Sequence, residues 1–222
     1  MKLCSFGDSF VFGTDLNDCD DSNYSNYTWP ALIANNLNLN YECYAKAGCG
    51  NRYILNQLLD HIEFDCFYVI QWTWIDRYDY NHNNSWQTVR PSLDNRKTDE
   101  FYYKNFHSEL HDKQVTLGLI YQAVCALESN NCKYFMTYMD ALMLDKKWHC
   151  PPGVQFLQDS ISPKLSSVNN QTFLSWARSK NYSISKSWHP LEEAHMNFSN
   201  IWTPKVRTLL NSVAKEESNA FE

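Results

Sequence analysis

The sequence has no run of about 18 apolar residues, so no segment is long enough to span a bilayer as a helix. No basic stretch followed by an apolar one opens it, and Met1 leads straight into the first predicted strand. The expectation is a cytoplasmic chain with no membrane partner. Positive charge is scarce: 19 Lys and Arg stand against 25 Asp and Glu, a net charge of -6. Broad nucleic-acid binding needs clustered Lys and Arg to displace counterions, so no nucleic-acid partner is expected. The eight cysteines (4, 19, 43, 49, 66, 125, 132, 150) contain no C-x-x-C pair and no zinc spacing. That pattern excludes a zinc or dithiol motif and predicts reduced thiols, several of them buried. Internal repeats and low-complexity tracts are missing too.

What is present suits an ordinary globular domain. With 222 residues, 44% hydrophobic and 20% charged, the chain can bury a substantial core in one unit. We expect a single domain over 1–215, an irregular aromatic-rich insertion at about 76–106, and a C-terminal tail at 216–222. Aromatic residues are abundant at 15%, including 14 Tyr and 8 Trp. They serve either as core and surface filler or as a stacking surface for a flat or sugar-like ligand.

Short apolar runs at Lys2–Phe6, in "YECYAKAG", in "CFYVIQWTW" and in "KYFMTYMD" predict four strands. Between them lie helical patterns. "TWPALIANNLNL" has a cap-like Thr28 and Pro30 near its first turn, and "NRYILNQLLDHI" repeats apolar residues at 54, 58 and 62. Further helices are predicted at 108–127, in "QTFLSWARSK" and at 191–213. The stretches 13–26, 76–106 and 141–170 read as loops. Strands alternating with helices imply parallel β-α units, hence an α/β fold with helices on both faces of a central parallel sheet.

Ligands in such sheets bind beyond the carboxyl ends of the strands. Ser9 follows the first strand, "GCGN" (48–51) the second and "QWTWIDR" (71–77) the third. "HPLEEAH", with His189 and His195, precedes the last helix. A serine, a histidine and backbone amides from a glycine loop are what acyl transfer requires: a nucleophile, its base and oxyanion donors. Taken singly, each has an ordinary structural use. Their order and position carry the argument.

Gly7-Asp8-Ser9-Phe10 at the end of a first strand resembles the GDS signature of the SGNH (GDSL) hydrolases. "AKAGCGN" is similar to that family's second block, and "SWHP" to its last. The similarity runs from Phe6 to about Leu210. It implies a three-layer α/β/α sandwich of flavodoxin-like type, Ser9 as nucleophile and His189 as base. It also implies an oxyanion hole made by the amides of Ser9 and Gly50, with Gly48 as the near alternative. No metal or organic cofactor is implied.

Two positions depart from the family pattern. Its third block reads Gly-x-Asn-Asp, but the strand here ends "QWTWIDR", leaving Gln71, Thr73 or the more distant Asn51 to stand in for the asparagine. Its acid stands three residues before the histidine, where this chain has Lys186. Three alternatives follow: His189 is held by a backbone carbonyl, or a distant carboxylate such as Asp140 or Glu192 fills in, or catalysis is weak or absent.

His195 is expected to pack structurally and is the reserve base. Asp8 is expected to serve its turn and, with Gln71, Thr73, Arg77 and Trp188, is a candidate substrate contact. The aromatic residues Tyr78, Tyr80, Trp86, Tyr102 and Tyr103 are expected to shape the pocket. The expected function is hydrolysis of an ester, an O-acyl group on a carbohydrate or small metabolite. The alternative is a degenerate ligand-binding or phage/assembly protein on the same fold. Homo-oligomerisation and an assembly partner are both left open.

Overall fold

The computed structural model describes residues 1–20, 22–91 and 96–212; the predicted tail at 216–222 lies outside these. In chain order its elements are β1 (Lys2–Phe6), α1 (Ser9–Phe12), α2 (Trp29–Asn36), β2 (Asn40–Cys43), α3 (Asn51–Asp60) and β3 (Cys66–Trp72). They continue with β4 (Tyr78–His82), β5 (Ser85–Val89), α4 (Lys97–Asn105), α5 (Glu109–Ser129) and β6 (Lys133–Tyr138). The last are α6 (Pro152–Ile161), β7 (Leu165–Ser166), α7 (Phe173–Ser179) and α8 (Glu192–Asn211).

Five strands form one parallel sheet in the order β2-β1-β3-β6-β7. This is the flavodoxin-like order, and the sheet reverses direction of growth between β1 and β3, where such folds open a crevice. Every residue of β3 is buried, as expected of a central strand covered on both faces. Its side chains alternate between two cores. Phe67 and Val69 join Leu3 and Phe135 under α2, α7 and α8. Tyr68, Ile70 and Trp72 join Cys4, Phe6 and Met136 under α3, α5 and α6. The result is the three-layer α/β/α sandwich the sequence implied. Among the described residues no helix is long and apolar enough to cross a membrane.

Three sequence expectations change. The stretch 76–106 is not wholly irregular: it contains the antiparallel β4–β5 hairpin and α4. Asn83 and Asn84 form the hairpin turn at φ 51° and 60°, a left-handed pair that asparagine tolerates better than most residues. The stretch 141–170 likewise contains α6 and the short fifth strand β7. Thr28 occupies the cap position of α2 but makes no side-chain capping bond; its hydroxyl turns to Ser25 O instead.

Candidate active site

Ser9 sits where β1 gives way to α1, and its neighbours account for the sharpness of that turn. A side chain on Gly7 would bring its Cβ within 2.5 Å of Val11 Cγ2 and 3.3 Å of Gln71 O, so only glycine lets the turn press against the end of β3. Asp8 caps α1: its Oδ1 accepts from Phe10 N at 3.0 Å. Its Oδ2 accepts from Thr73 Oγ1 at 2.6 Å and from Arg77 Nη1 at 3.2 Å. Asp8 is wholly buried, holds the turn and does not line the cavity around Ser9.

His189 arrives from the segment before α8, on a turn closed by Ser185 N donating to His189 O (2.8 Å) and His189 N donating to Ser185 Oγ (3.1 Å). Its Nε2 lies 2.9 Å from Ser9 Oγ. The ring packs edge-on against Phe10, with centroids 5.0 Å apart.

The other ring nitrogen has a carboxylate partner that the sequence did not reveal. Asp15 Oδ2 lies 2.7 Å from His189 Nδ1 and also accepts from Ser185 Oγ at 2.7 Å and from Ser187 Oγ. Burial pushes the Asp15 carboxyl up, but hydrogen bonds from Ser187, Ser185 and His189 outweigh it and leave the group below the usual carboxylate range. An ionised carboxylate only accepts, so Nδ1 must carry the proton; in the neutral ring Nε2 is then the acceptor facing Ser9. Asp140 and Glu192 do not supply this acid. Asp140 caps the turn at Leu142 and accepts from Ile75 N. Glu192 instead accepts from Asn17 N at 2.9 Å and so anchors the segment carrying Asp15.

That segment follows directly from α1. Gly13 takes φ 90°, and its N–H closes the helix on Ser9 O at 2.9 Å. A Cβ there would stand 2.4 Å from Ser25 Cβ and 2.7 Å from Thr28 Cγ2. Gly13→Ala should therefore cost about 2 kcal/mol in urea denaturation, from left-handed strain and the clash together. The same displacement should move Asp15 away from His189, because the displaced loop carries it.

The expected oxyanion donors need revision. Gly50 N donates to Asp79 Oδ1 at 2.8 Å, and Tyr53 N donates to the other oxygen at 2.9 Å, so Asp79 caps α3 and occupies the Gly50 amide. Gly48 lines the same cavity as Ser9, and its N–H makes no hydrogen bond among the described residues. Asn51 is a buried clamp: Nδ2 donates to Thr73 O and Trp74 O, and Oδ1 accepts from Thr73 N at 2.8 Å. Gln71 and Thr73 are fully buried, Gln71 accepting from Trp29 Nε1 and Thr73 donating to Asp8. None of these three lines the cavity around Ser9. Arg77 and Trp188 do line the cavity.

His195 is fully buried and serves α2. Its Nδ1 accepts from Trp29 N at 3.0 Å, satisfying a helix N-terminus that Thr28 leaves open. Burial, with a smaller contribution from His189, pushes its pKa down from 6.5 to about 3. It is a structural acceptor and not a second base. The unfolded chain takes up this proton near pH 6.5 and the folded chain only near 3, so its contribution is lost as pH falls through that window. The slope is at most about 1.4 kcal/mol per pH unit. Urea midpoints measured from pH 7 to 5 should therefore fall less steeply in His195→Gln than in the wild type.

The cavity around Ser9 measures about 900 Å³ and is also walled by Phe10, Trp74, Leu174 and His189. The five aromatic residues expected to shape it do not. Tyr78 stacks on Tyr80 and Tyr102, Tyr102 meets Tyr103 edge-on, and Trp86 packs on Tyr53. Trp74 and Trp188 take that place. Among the described residues no group of three or more His, Cys, Asp or Glu side chains could hold a metal ion. Chemically, the cavity presents a hydroxyl, an imidazole aligned on it and a carboxylate behind the imidazole.

No protein-family model matches the sequence, and no curated protein does. Solved structures do match in fold. One is a carbohydrate esterase family 2 enzyme with a carbohydrate-binding domain from Corynascus thermopiles (Myceliophthora fergusii). It is 13% identical, with 95% of this chain and 66% of that one covered, at a TM-score of 0.53. The acetyl xylan esterase Est2A from the rumen bacterium Butyrivibrio proteoclasticus is 14% identical over 95% of this chain and 64% of its own, at a TM-score of 0.53. TesA is 12% identical over 94% and 99%, at a TM-score of 0.50. The chain thus spans about two thirds of the length of the two carbohydrate esterases. At these identities the shared property is the fold.

Proposed function

From the fold this chain shares with those esterases, we propose that it is a serine hydrolase that cleaves an O-acyl ester through Ser9, His189 and Asp15. One observation carries the reading: His189 bridges Ser9 at 2.9 Å and Asp15 at 2.7 Å, at the wall of a cavity large enough for a substrate. Ser9 Oγ attacks the acyl carbonyl while His189 Nε2 takes its proton. Asp15 holds the imidazole and stabilises the imidazolium.

The Ser9 and Gly48 amides receive the tetrahedral oxyanion, Gly48 replacing the engaged Gly50. The intermediate collapses, His189 protonates the departing alcohol, and the acyl group stays on Ser9. Water then adds with His189 as base, releasing the acid and restoring the serine. The alternative of a degenerate binding protein rests on the two departures from the family pattern, and the Asp15–His189 contact supports the hydrolase reading at one of them, the acid.

A fluorophosphonate probe tests the proposal. The wild-type protein should gain one phosphonyl adduct, located by mass spectrometry on the peptide containing Ser9, and should turn over p-nitrophenyl acetate. Absence of both adduct and turnover in folded protein overturns the reading.

A further inference from the structure

We propose that the ester this site hydrolyses carries negative charge on its alcohol portion, as an O-acylated acidic sugar bearing carboxylate or sulfate groups does. The inference rests on the hydrolase reading above and names its substrate class.

The protein as a whole is acidic, with a net charge of -6, yet the walls of the Ser9 cavity reverse that sign. Arg77, Arg90, Arg178 and Lys186 line it against one lining carboxylate, Asp76. Arg77 is already engaged: Nη1 binds the buried Asp8 at 3.2 Å and Cys49 O at 2.7 Å. The other three have no carboxylate partner among the described residues.

Arg90 is half-buried and packs against Gly48 so closely that a Cβ there would lie 2.2 Å from its Nη1. This sets a guanidinium beside the proposed oxyanion amide. Arg178 lies over the face of Trp188, Cζ 4.6 Å from the ring centroid. Lys186 occupies the position where the resembled family carries its acid. With that acid supplied from Asp15, the position carries a cation that lines the cavity.

Three cations with no carboxylate partner among the described residues raise the potential inside one concavity, which favours an anionic occupant. A planar guanidinium suits carboxylate and sulfate oxygens. Trp74 and the exposed Trp188 offer flat apolar faces suited to a sugar ring. Three such cations in one concavity form a small positive site and not an extended basic track, which argues for a small acidic ligand and against a nucleic-acid strand.

The test compares kcat/KM on O-acetylated oligogalacturonate and on O-acetylated xylo-oligosaccharide of equal length, at low and high salt. At low salt the acidic substrate should be preferred by about tenfold or more. The preference should shrink toward unity in 0.5 M NaCl and in the double variant Arg90→Gln/Lys186→Gln. Equal rates, or a preference for the neutral ester, overturn the proposal. Faster cleavage of acetyl-coenzyme A than of the acidic oligosaccharide overturns the sugar assignment.

A binding arm separates this inference from the hydrolase reading. Ser9→Ala protein is titrated with unacetylated trigalacturonate and with xylotriose, following tryptophan fluorescence. Selective binding of the acidic trimer, with no ester turned over by the wild type, keeps the binding inference and removes the hydrolase. Turnover of p-nitrophenyl acetate without any binding preference removes the binding inference alone.

Discussion

Ser9→Ala lowers kcat for p-nitrophenyl acetate by about 10⁴-fold or more and abolishes fluorophosphonate labelling. The expected size follows from the chemistry: without Ser9 Oγ no acyl-enzyme can form, and only water activated by His189 remains. The variant should fold normally. Ser9 opens α1, where alanine is an excellent helix former, and its side chain makes a single hydrogen bond, to His189. Thermal denaturation should therefore place Ser9→Ala within about 0.5–1 kcal/mol of the wild type. A variant that unfolds would leave the chemistry unread, so the melting temperature accompanies the rate. Undiminished turnover by a folded Ser9→Ala protein refutes the assignment of the nucleophile.

Asp15→Asn should reduce kcat about 10²–10⁴-fold with little change in KM. The amide is isosteric, and asparagine tolerates the left-handed backbone found at Asp15, φ 72°. Backbone strain is thus no confounder. What is lost is the anion that stabilises the imidazolium and fixes the tautomer in which Nε2 faces Ser9. The carboxylate is one third exposed, so solvent recovers part of that stabilisation and the loss should fall below that expected for a fully buried acid.

Asp15→Gly provides the sharper reading, since glycine also suits the backbone and leaves a space opening to solvent. Added formate should restore part of its activity in proportion to concentration. A role confined to loop structure predicts no such rescue. If both variants retain wild-type kcat, His189 works without this acid.

The site's legibility from sequence divides along physical lines. Ser9, the loop containing Gly48 and His189 could be placed because each stands at a strand end or helix start, and those boundaries are written in local pattern. The acid could not be found this way. Asp15 is one of several acids in the polar stretch 13–26, alongside Asp18 and Asp20, and no local signal separates them. Asp18 accepts from Asn26 N and Ser25 Oγ, and Asp20 accepts from Ser22 and Asn23. Only the path of the chain after Gly13 sets Asp15 beside a histidine 174 positions away. That the Gly50 amide is engaged was not legible either, because its partner, Asp79, lies on the β4–β5 hairpin 29 positions along the chain.

By itself, the sequence determined the alternation of strands and helices, hence a parallel sheet covered on both faces, and it placed Ser9 at the end of the first strand. Periodicity and turn chemistry act between residues a few positions apart, and that range suffices for elements. Tertiary structure alone decided which carboxylate serves His189, which glycine amide is free, and that Lys186 lines the cavity. Those outcomes depend on contacts between residues far apart in the chain. Long-range packing, and not local propensity, turns one ordinary loop aspartate into the partner of the histidine.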